Sequence, residues 1–277
     1  MIPAGRLSNY ELKQTVMSNP TSLKDSTLGQ ALGEIEYNRQ RLSPNPKDQF
    51  YVHLSDVRLF LEDYSKASFD QLLDYGCGGS PYRQLFKARN YLRADYVDCG
   101  NLDCVITQDG KVSLPDNSCD GVLSTQVLEH VFSPRTYLAE AFRVLRPGGK
   151  LILTTHGVWE EHGCPYDFRR WTYDGLRREL EEAGFQVERT AKLTTGPRAV
   201  VFLFSQILSQ LRASPRHLLA WAFWLLRRSC LATPELRHKW MDHQFSKNRM
   251  VLENESGHGI YLALGIEGVK PKNEPAP

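Results

Sequence analysis

The stretch Gln71–Pro81, reading QLLDYGCGGSP, constrains the chain more than any other. Phe69 to Tyr75 is apolar enough for a short buried strand, bounded at its far end by glycines. Gly76, Gly78 and Gly79 let the backbone turn tightly and approach a ligand, because no Cβ stands in the way. Ser80 and Pro81 suit the start of a helix, with Tyr82, Leu85 and Phe86 on one face. A strand, a glycine turn and a helix start make up the ligand-binding edge of a doubly wound α/β sheet. An ordinary tight turn competes with that reading until the downstream segments are weighed.

Those segments come in a telling order. Tyr91–Asp95 reads as a second strand ending in an acid, at the spacing from the glycines that suits a carboxylate facing ribose hydroxyls. Asp109-Gly110 follows, then Leu114-Pro115, the strand Asp120–Thr125 and Val127-Leu128-Glu129-His130. Arg143-Val144-Leu145-Arg146-Pro147-Gly148-Gly149 and the strand Leu151–Thr155 complete the series. The set resembles the class I S-adenosylmethionine-dependent methyltransferases, in the branch with VLEH and RVLRPGG segments, over roughly residues 69–190.

The resemblance implies a Rossmann-like, doubly wound α/β fold with a seven-stranded, mostly parallel sheet, its last strand inserted antiparallel. It also implies S-adenosyl-L-methionine as cofactor. Asp74, Gly76, Cys77 and Gly78 would hold its amino-acid end, Asp95 the ribose and Asp109 the adenine, with Tyr96 and Gly110 as further cofactor-binding residues and Gln126 beside the methionine half. The chain departs from the pattern at Ser80, where many relatives carry a third glycine. Asp109 lies slightly farther from Leu114-Pro115 than the family spacing, and Asp98 and Asp103 compete with it.

A second set of polar residues ends the fifth strand. His156 is followed by Trp159, His162, Cys164, Pro165, Asp167, Arg170 and Thr172. A subset of the same methyltransferases carries a similar His, Pro, Asp, Arg, Thr series here. The loop leaves the sheet at its ligand edge, so His156, His162 and Asp167 could approach an acceptor hydroxyl. His156, Asp167 and His130 of the VLEH segment, which in many relatives only braces its helix, are the candidates for taking the hydroxyl proton. Histidine is suited to that by a pKa near neutrality. His162 and Arg170 are the candidate acceptor-binding residues. The rival reading is structural, with Asp167 paired to Arg170 and Thr172 capping the helix from Tyr173 to Ala183. Metal binding by His156, His162, Cys164 and Asp167 matches no common zinc spacing, so no metal is expected.

The flanks carry less chemistry. Residues 1–48 read as an arm with one short amphipathic helix at Leu28, Ala31, Leu32 and Ile35, either loosely attached or a lid over the cofactor. In the methyltransferase domain, residues 49–268, a helix between Phe50 and Tyr64 leads into the first strand, and His53 on it reads as a surface or packing residue rather than a ligand. Residues 192–249 form a basic helical insertion before the last strand, with ten Lys or Arg against Glu235 and Asp242. Its apolar runs, Ala199–Leu211 and His217–Leu226, fit a cap over the acceptor pocket or, through 199–228, a peripheral contact with anionic lipid. The last strand is Gly259–Ile266, and 269–277 reads as a disordered tail.

Composition narrows the classes. A net charge of +2 gives no global case for nucleic acid. Six scattered cysteines without CxxC pairs suit reduced thiols in a cytoplasmic protein, with membrane association left open by the basic segment. The expected activity is therefore methyl transfer to a small-molecule, glycan or lipid-linked acceptor, on oxygen or carbon, with no nucleic-acid partner. A catalytically degenerate cofactor binder or membrane-surface scaffold is the alternative. A nicotinamide-dependent oxidoreductase would need G-x-G-x-x-G, and Pro81 stands where its last glycine belongs.

Overall fold

The computed structural model describes residues 23–96, 102–163, 166–210, 233–252 and 259–272. In the described residues the helices are α1 (Leu23–Leu42), α2 (Tyr51–Glu62), α3 (Pro134–Val144), α4 (Tyr173–Glu182), α5 (Gly196–Gln210) and α6 (Pro234–Gln244). The strands are β1 (Ser68–Tyr75), β2 (Lys87–Asp95), β3 (Cys104–Val105), β4 (Cys119–Thr125), β5 (Leu145–His156), β6 (Gln186–Thr195), β7 (Met250–Leu252) and β8 (Tyr261–Val269).

They form one sheet in the order β3-β2-β1-β4-β5-β8-β6-β7. The pairs among β1 to β5 are parallel, and β8 inserts antiparallel between β5 and β6, as the resemblance implies. An eighth strand, β7, extends the expected seven by pairing antiparallel with β6 at the edge. Strand order reverses between β1 and β4, so the crevice beyond their carboxyl ends is where such a sheet takes ligands.

Alternation along the central strands fills both faces. Leu73, Val122 and Leu151 point to the side covered by α3 and α4, with Leu138, Leu176 and Leu180. Leu72, Leu123 and Ile152 point to the other, under Val57, Phe60 and Leu61 of α2. Burial on both faces is why these strands read as near-continuous apolar runs.

Three expectations need correction. The helix after Ser80-Pro81 is a single 3-10 turn, Arg83–Leu85, and β2 begins at Lys87. Tyr82 and Phe86 bury into the α2-side core, which draws the segment straight into the strand. The N-terminal helix is longer than expected and is docked: Asn38 donates from Nδ2 to the carbonyl of Gly79 at 3.0 Å. At the other end Val269 lies within β8, and Lys270 is buried, donating to Asn117 Oδ1 at 2.7 Å and the Phe142 carbonyl at 3.0 Å. The ordered chain thus runs past the expected boundary at 268.

Part of the basic segment is internal. Arg198 of α5 and Arg249 both donate to Asp56 of α2. One face of α5 buries Ala199 and Phe202 with Val52, Met241 and Leu262, while Val200, Phe204 and Ile207 face outward. The second apolar run, with Trp221, Trp224, Arg227 and Arg228, lies outside the described residues. No helix among the described residues is long and apolar enough to cross a membrane.

Candidate functional site

The glycine turn is built against the end of β2. Gly76 and Cys77 both donate their N–H to the Ala94 carbonyl at 2.9 Å, and Gly78 donates to Asp95 Oδ2 at 2.6 Å. Gly76 has φ 81° and Gly78 φ 49°, in the left-handed region that glycine enters without steric cost. At Gly76 a Cβ would also collide with Val127, 2.6 Å away. Above Gly78 it would meet only the Tyr37 hydroxyl at 3.9 Å, so the turn opens onto space.

Ser80, the departure from the glycine pattern, takes φ 51°, where a side chain costs about 1–2 kcal/mol. Its hydroxyl accepts from Arg93 Nε at 3.0 Å, which offsets that strain. Asp74 is buried beneath the turn, accepts from the Tyr91 hydroxyl at 2.7 Å, and has its pKa pushed up to about 6 by burial. Asp95 also accepts from the Tyr96 N–H, and a carboxylate that takes two donors keeps further lone pairs for a ligand. Tyr96 is exposed beside it. Asp109 and Gly110 sit in the turn after β3, with Asp109 accepting from Thr107 and paired to Lys111 at 3.2 Å. The Gly110 carbonyl accepts from the Tyr75 hydroxyl. Asp98 falls in the undescribed segment.

Across the switch point, Gln126 ends β4 with φ 54°, a strained conformation of the kind that collects at functional sites. Its N–H is held by the Thr154 carbonyl at 2.8 Å, while its side-chain amide is buried, interacting with the His53 ring but making no well-formed hydrogen bond. Next to it lies an aromatic and acidic cluster from three elements. The rings of His53 of α2, His156 and Trp159 pack mutually, with centroids 5.2 Å apart for His53–His156, 4.8 Å for His156–Trp159 and 4.5 Å for His53–Trp159. His162 meets His130 and His156 edge-on at 4.9 and 5.1 Å. Glu129 is fully buried, with Oε2 accepting from Thr155 at 2.8 Å and Oε1 standing 3.4 Å from His156 Nε2.

Burial sets the charge states here. It pushes Glu129 up to about 7 and drives His156 and, less strongly, His130 below the usual histidine value, so both imidazoles are neutral at pH 7. His130 donates from Nδ1 to the Tyr166 carbonyl at 2.7 Å when that nitrogen carries the proton, leaving Nε2 as the acceptor. His53 is pushed down to about 3 by burial. The unfolded chain therefore takes up this proton first, and the stability tied to neutral His53, intact above about pH 6.5, is lost as pH falls toward 3. Urea unfolding of wild type and His53→Phe should diverge by about 1.4 kcal/mol per pH unit inside that window. Parallel pH profiles would contradict the assignment.

Asp167 is not free for proton transfer. It receives both terminal nitrogens of Arg170 at 2.5 Å and the His162 N–H at 2.9 Å, and Arg170 pulls its pKa down to about 2. Arg170 in turn donates to the carbonyls of Trp159, Glu160 and Arg169. The candidate base Asp167 and the candidate acceptor-binder Arg170 are thus a staple for the loop after β5. Thr172 caps α4 by accepting from the Gly175 N–H at 3.2 Å, the structural role also expected. Cys164 and Pro165 lie outside the described residues.

The structure thus brings His130, His156 and His162 together, and sets Asp74, Gly76, Cys77, Gly78 and Asp95 around one turn. It adds Glu129, His53, Trp159 and Asn38, none of which is among the site residues expected from sequence. Glu129 was visible inside VLEH, but nothing in that motif signals that its carboxylate points inward.

Residues 73–153 match the family described as a methyltransferase domain. A protein of Mycolicibacterium smegmatis named as a Probable S-adenosylmethionine-dependent methyltransferase is 37% identical over 86 residues, 29% of this chain and 34% of that protein. A Mycobacterium tuberculosis protein with the same description is 28% identical over 144 residues, 46% of this chain and 53% of that one. The chain therefore spans about a third to a half of the length of these relatives. Among solved structures, a chain of a Haloferax volcanii complex that contains the Trm112 methyltransferase activator superposes with a TM-score of 0.50. It is 16% identical, covering 87% of this chain and 97% of that one, a likeness of fold.

Proposed function

We propose that this chain is a class I S-adenosylmethionine-dependent methyltransferase, to whose domain model and named relatives it is similar, and that it methylates an oxygen of a small-molecule, glycan or lipid-linked acceptor. One observation carries the cofactor half of this reading: Asp95 grips the glycine turn through Gly78, across the switch point from the buried amide of Gln126. The open space above Gly78 and that amide, which makes no well-formed hydrogen bond, fit a polar ligand lying along the crevice. S-adenosylmethionine supplies an activated methyl on a sulfonium. Asp95 and Tyr96 take the ribose, Asp109 and Gly110 the adenine, Gly76–Gly78 with Asp74 the amino-acid end, and Gln126 the methionine half. Holding nucleophile and methyl in line then supplies much of the acceleration.

The acceptor half rests on the imidazole cluster. His130 and His156 are neutral and lie at the carboxyl end of the sheet, where a hydroxyl proton can be accepted or shared. The outward apolar residues of α5, Val200, Phe204 and Ile207, support a lipid-linked member of the acceptor class. Incubation with S-adenosylmethionine labelled in its methyl group, against aqueous and organic cell extracts, tests the reading. Label recovered as a methyl ether is the expected result; label on nitrogen or carbon, or in no fraction, contradicts it.

A further inference from the structure

We infer that Glu129, His130 and His162 form a binding site for a divalent first-row transition-metal ion of the zinc type. One ligand atom from each lies within 4.8 Å of the others. Glu129 Oε1 is the informative atom. The side chain is fully buried and this oxygen has no hydrogen-bond partner, standing 3.9 Å from His130 Nε2 and 3.4 Å from His156 Nε2. A buried carboxylate oxygen is costly unless something positive or donating meets it. A cation between Glu129, His130 and His162 meets it directly.

The surroundings of both imidazoles are those of metal ligands. A metal-bound histidine usually gives its far N–H to a carbonyl or a carboxylate, which fixes the ring. His130 has the Tyr166 carbonyl 2.7 Å from Nδ1. His162 has the Glu160 carbonyl at 3.2 Å and Asp167 Oδ2 at 3.3 Å from Nδ1, leaving Nε2 for an ion. The Arg170 staple makes Asp167 a rigid support.

Two imidazoles and one carboxylate favour zinc, iron, cobalt or nickel over magnesium and calcium, which prefer all-oxygen shells. Two ligands on a tetrahedral zinc stand about 3.4 Å apart, so the site closes by roughly an ångström of side-chain rotation. His162, whose side chain is 35% exposed, can supply it. Three protein ligands leave a position open, as in catalytic rather than structural sites. That open position is where an acceptor oxygen would bind, and with His130 Nε2 on the ion the proton-accepting role passes to His156; these roles rest on the methyl-transfer reading, whereas ion binding does not. The ligands come from the β4–α3 connection and from the loop after β5, so no local spacing announces them.

The test is titration of the full chain, stripped with chelator, with Co²⁺ while visible absorption is followed. Saturable d–d bands that Zn²⁺ bleaches are expected, and His162→Ala should weaken binding by roughly tenfold or more. His162 is the ligand to change because it lies on a partly exposed loop, and circular dichroism verifies the variant's fold. Absence of bands with folded wild type, or wild-type affinity in folded His162→Ala, overturns the inference. Titration of the stripped protein with S-adenosylhomocysteine reports separately on the cofactor half, so failure of one reading is distinguishable from failure of the other.

Discussion

Asp56→Ala should destabilise the chain by about 3–5 kcal/mol, the cost of removing one partner from a buried ion pair. Asp56 is wholly buried and accepts from Arg198 Nε at 2.7 Å and Nη2 at 3.0 Å, from Arg249 Nε at 2.8 Å and from the Thr194 hydroxyl at 2.8 Å. Arg198 is buried as completely, so without Asp56 its charge keeps only the partly exposed Asp242, 2.8 Å from Nη1. The cluster ties α2, which precedes the sheet, to α5 and to Arg249 at the far end of the insertion. Urea denaturation measures the loss. A joint change of Asp56→Leu and Arg198→Met, which removes both buried charges, should recover much of it, since apolar replacement of a whole buried pair is often neutral. A loss below about 1 kcal/mol for Asp56→Ala would mean that the charges are solvated in the working protein.

Asp95→Ala should weaken binding of S-adenosylmethionine by about 1.5–3 kcal/mol, the range for a hydrogen bond to a charged acceptor, or roughly 10- to 150-fold. Two effects add. The carboxylate's remaining lone pairs are lost to the ribose, and Gly78 loses the acceptor that holds its N–H at 2.6 Å, loosening the turn. Asp95→Asn separates them: the amide can still accept from Gly78, so it should retain more affinity than alanine. Equilibrium dialysis with the labelled cofactor gives both values. Unchanged affinity in Asp95→Ala would remove this residue from the site.

The positions of the proposed cofactor residues were legible because they follow one another along single strands and turns. Gly76 to Gly78 and Asp95 needed only the β1 and β2 patterns to be placed, and Gln126 only the end of β4. The turn after Gly79 was misread because Ser80-Pro81 carries a genuine helix-start signal. What overrides it is the burial of Tyr82 and Phe86 against α2, a tertiary effect no local pattern contains. The acceptor half was less legible for the same reason. Asp167 and Arg170 fit a substrate motif and a structural staple equally well in sequence, and only the bidentate contact decides. Glu129, His53 and Trp159 lie far apart in the chain and meet only once β5 and α2 are packed. Arg198 and Arg249 counted toward a basic surface in the sequence, yet their charges are spent inside on Asp56.

The crevice beyond β1 and β4 is the proposed binding site of S-adenosylmethionine. Calorimetric titration of the full chain with S-adenosylhomocysteine, with NADH in a parallel run, tests it most directly. Saturable one-to-one binding of the first and no heat from the second is the predicted result. Binding of NADH, or of neither ligand, would contradict it.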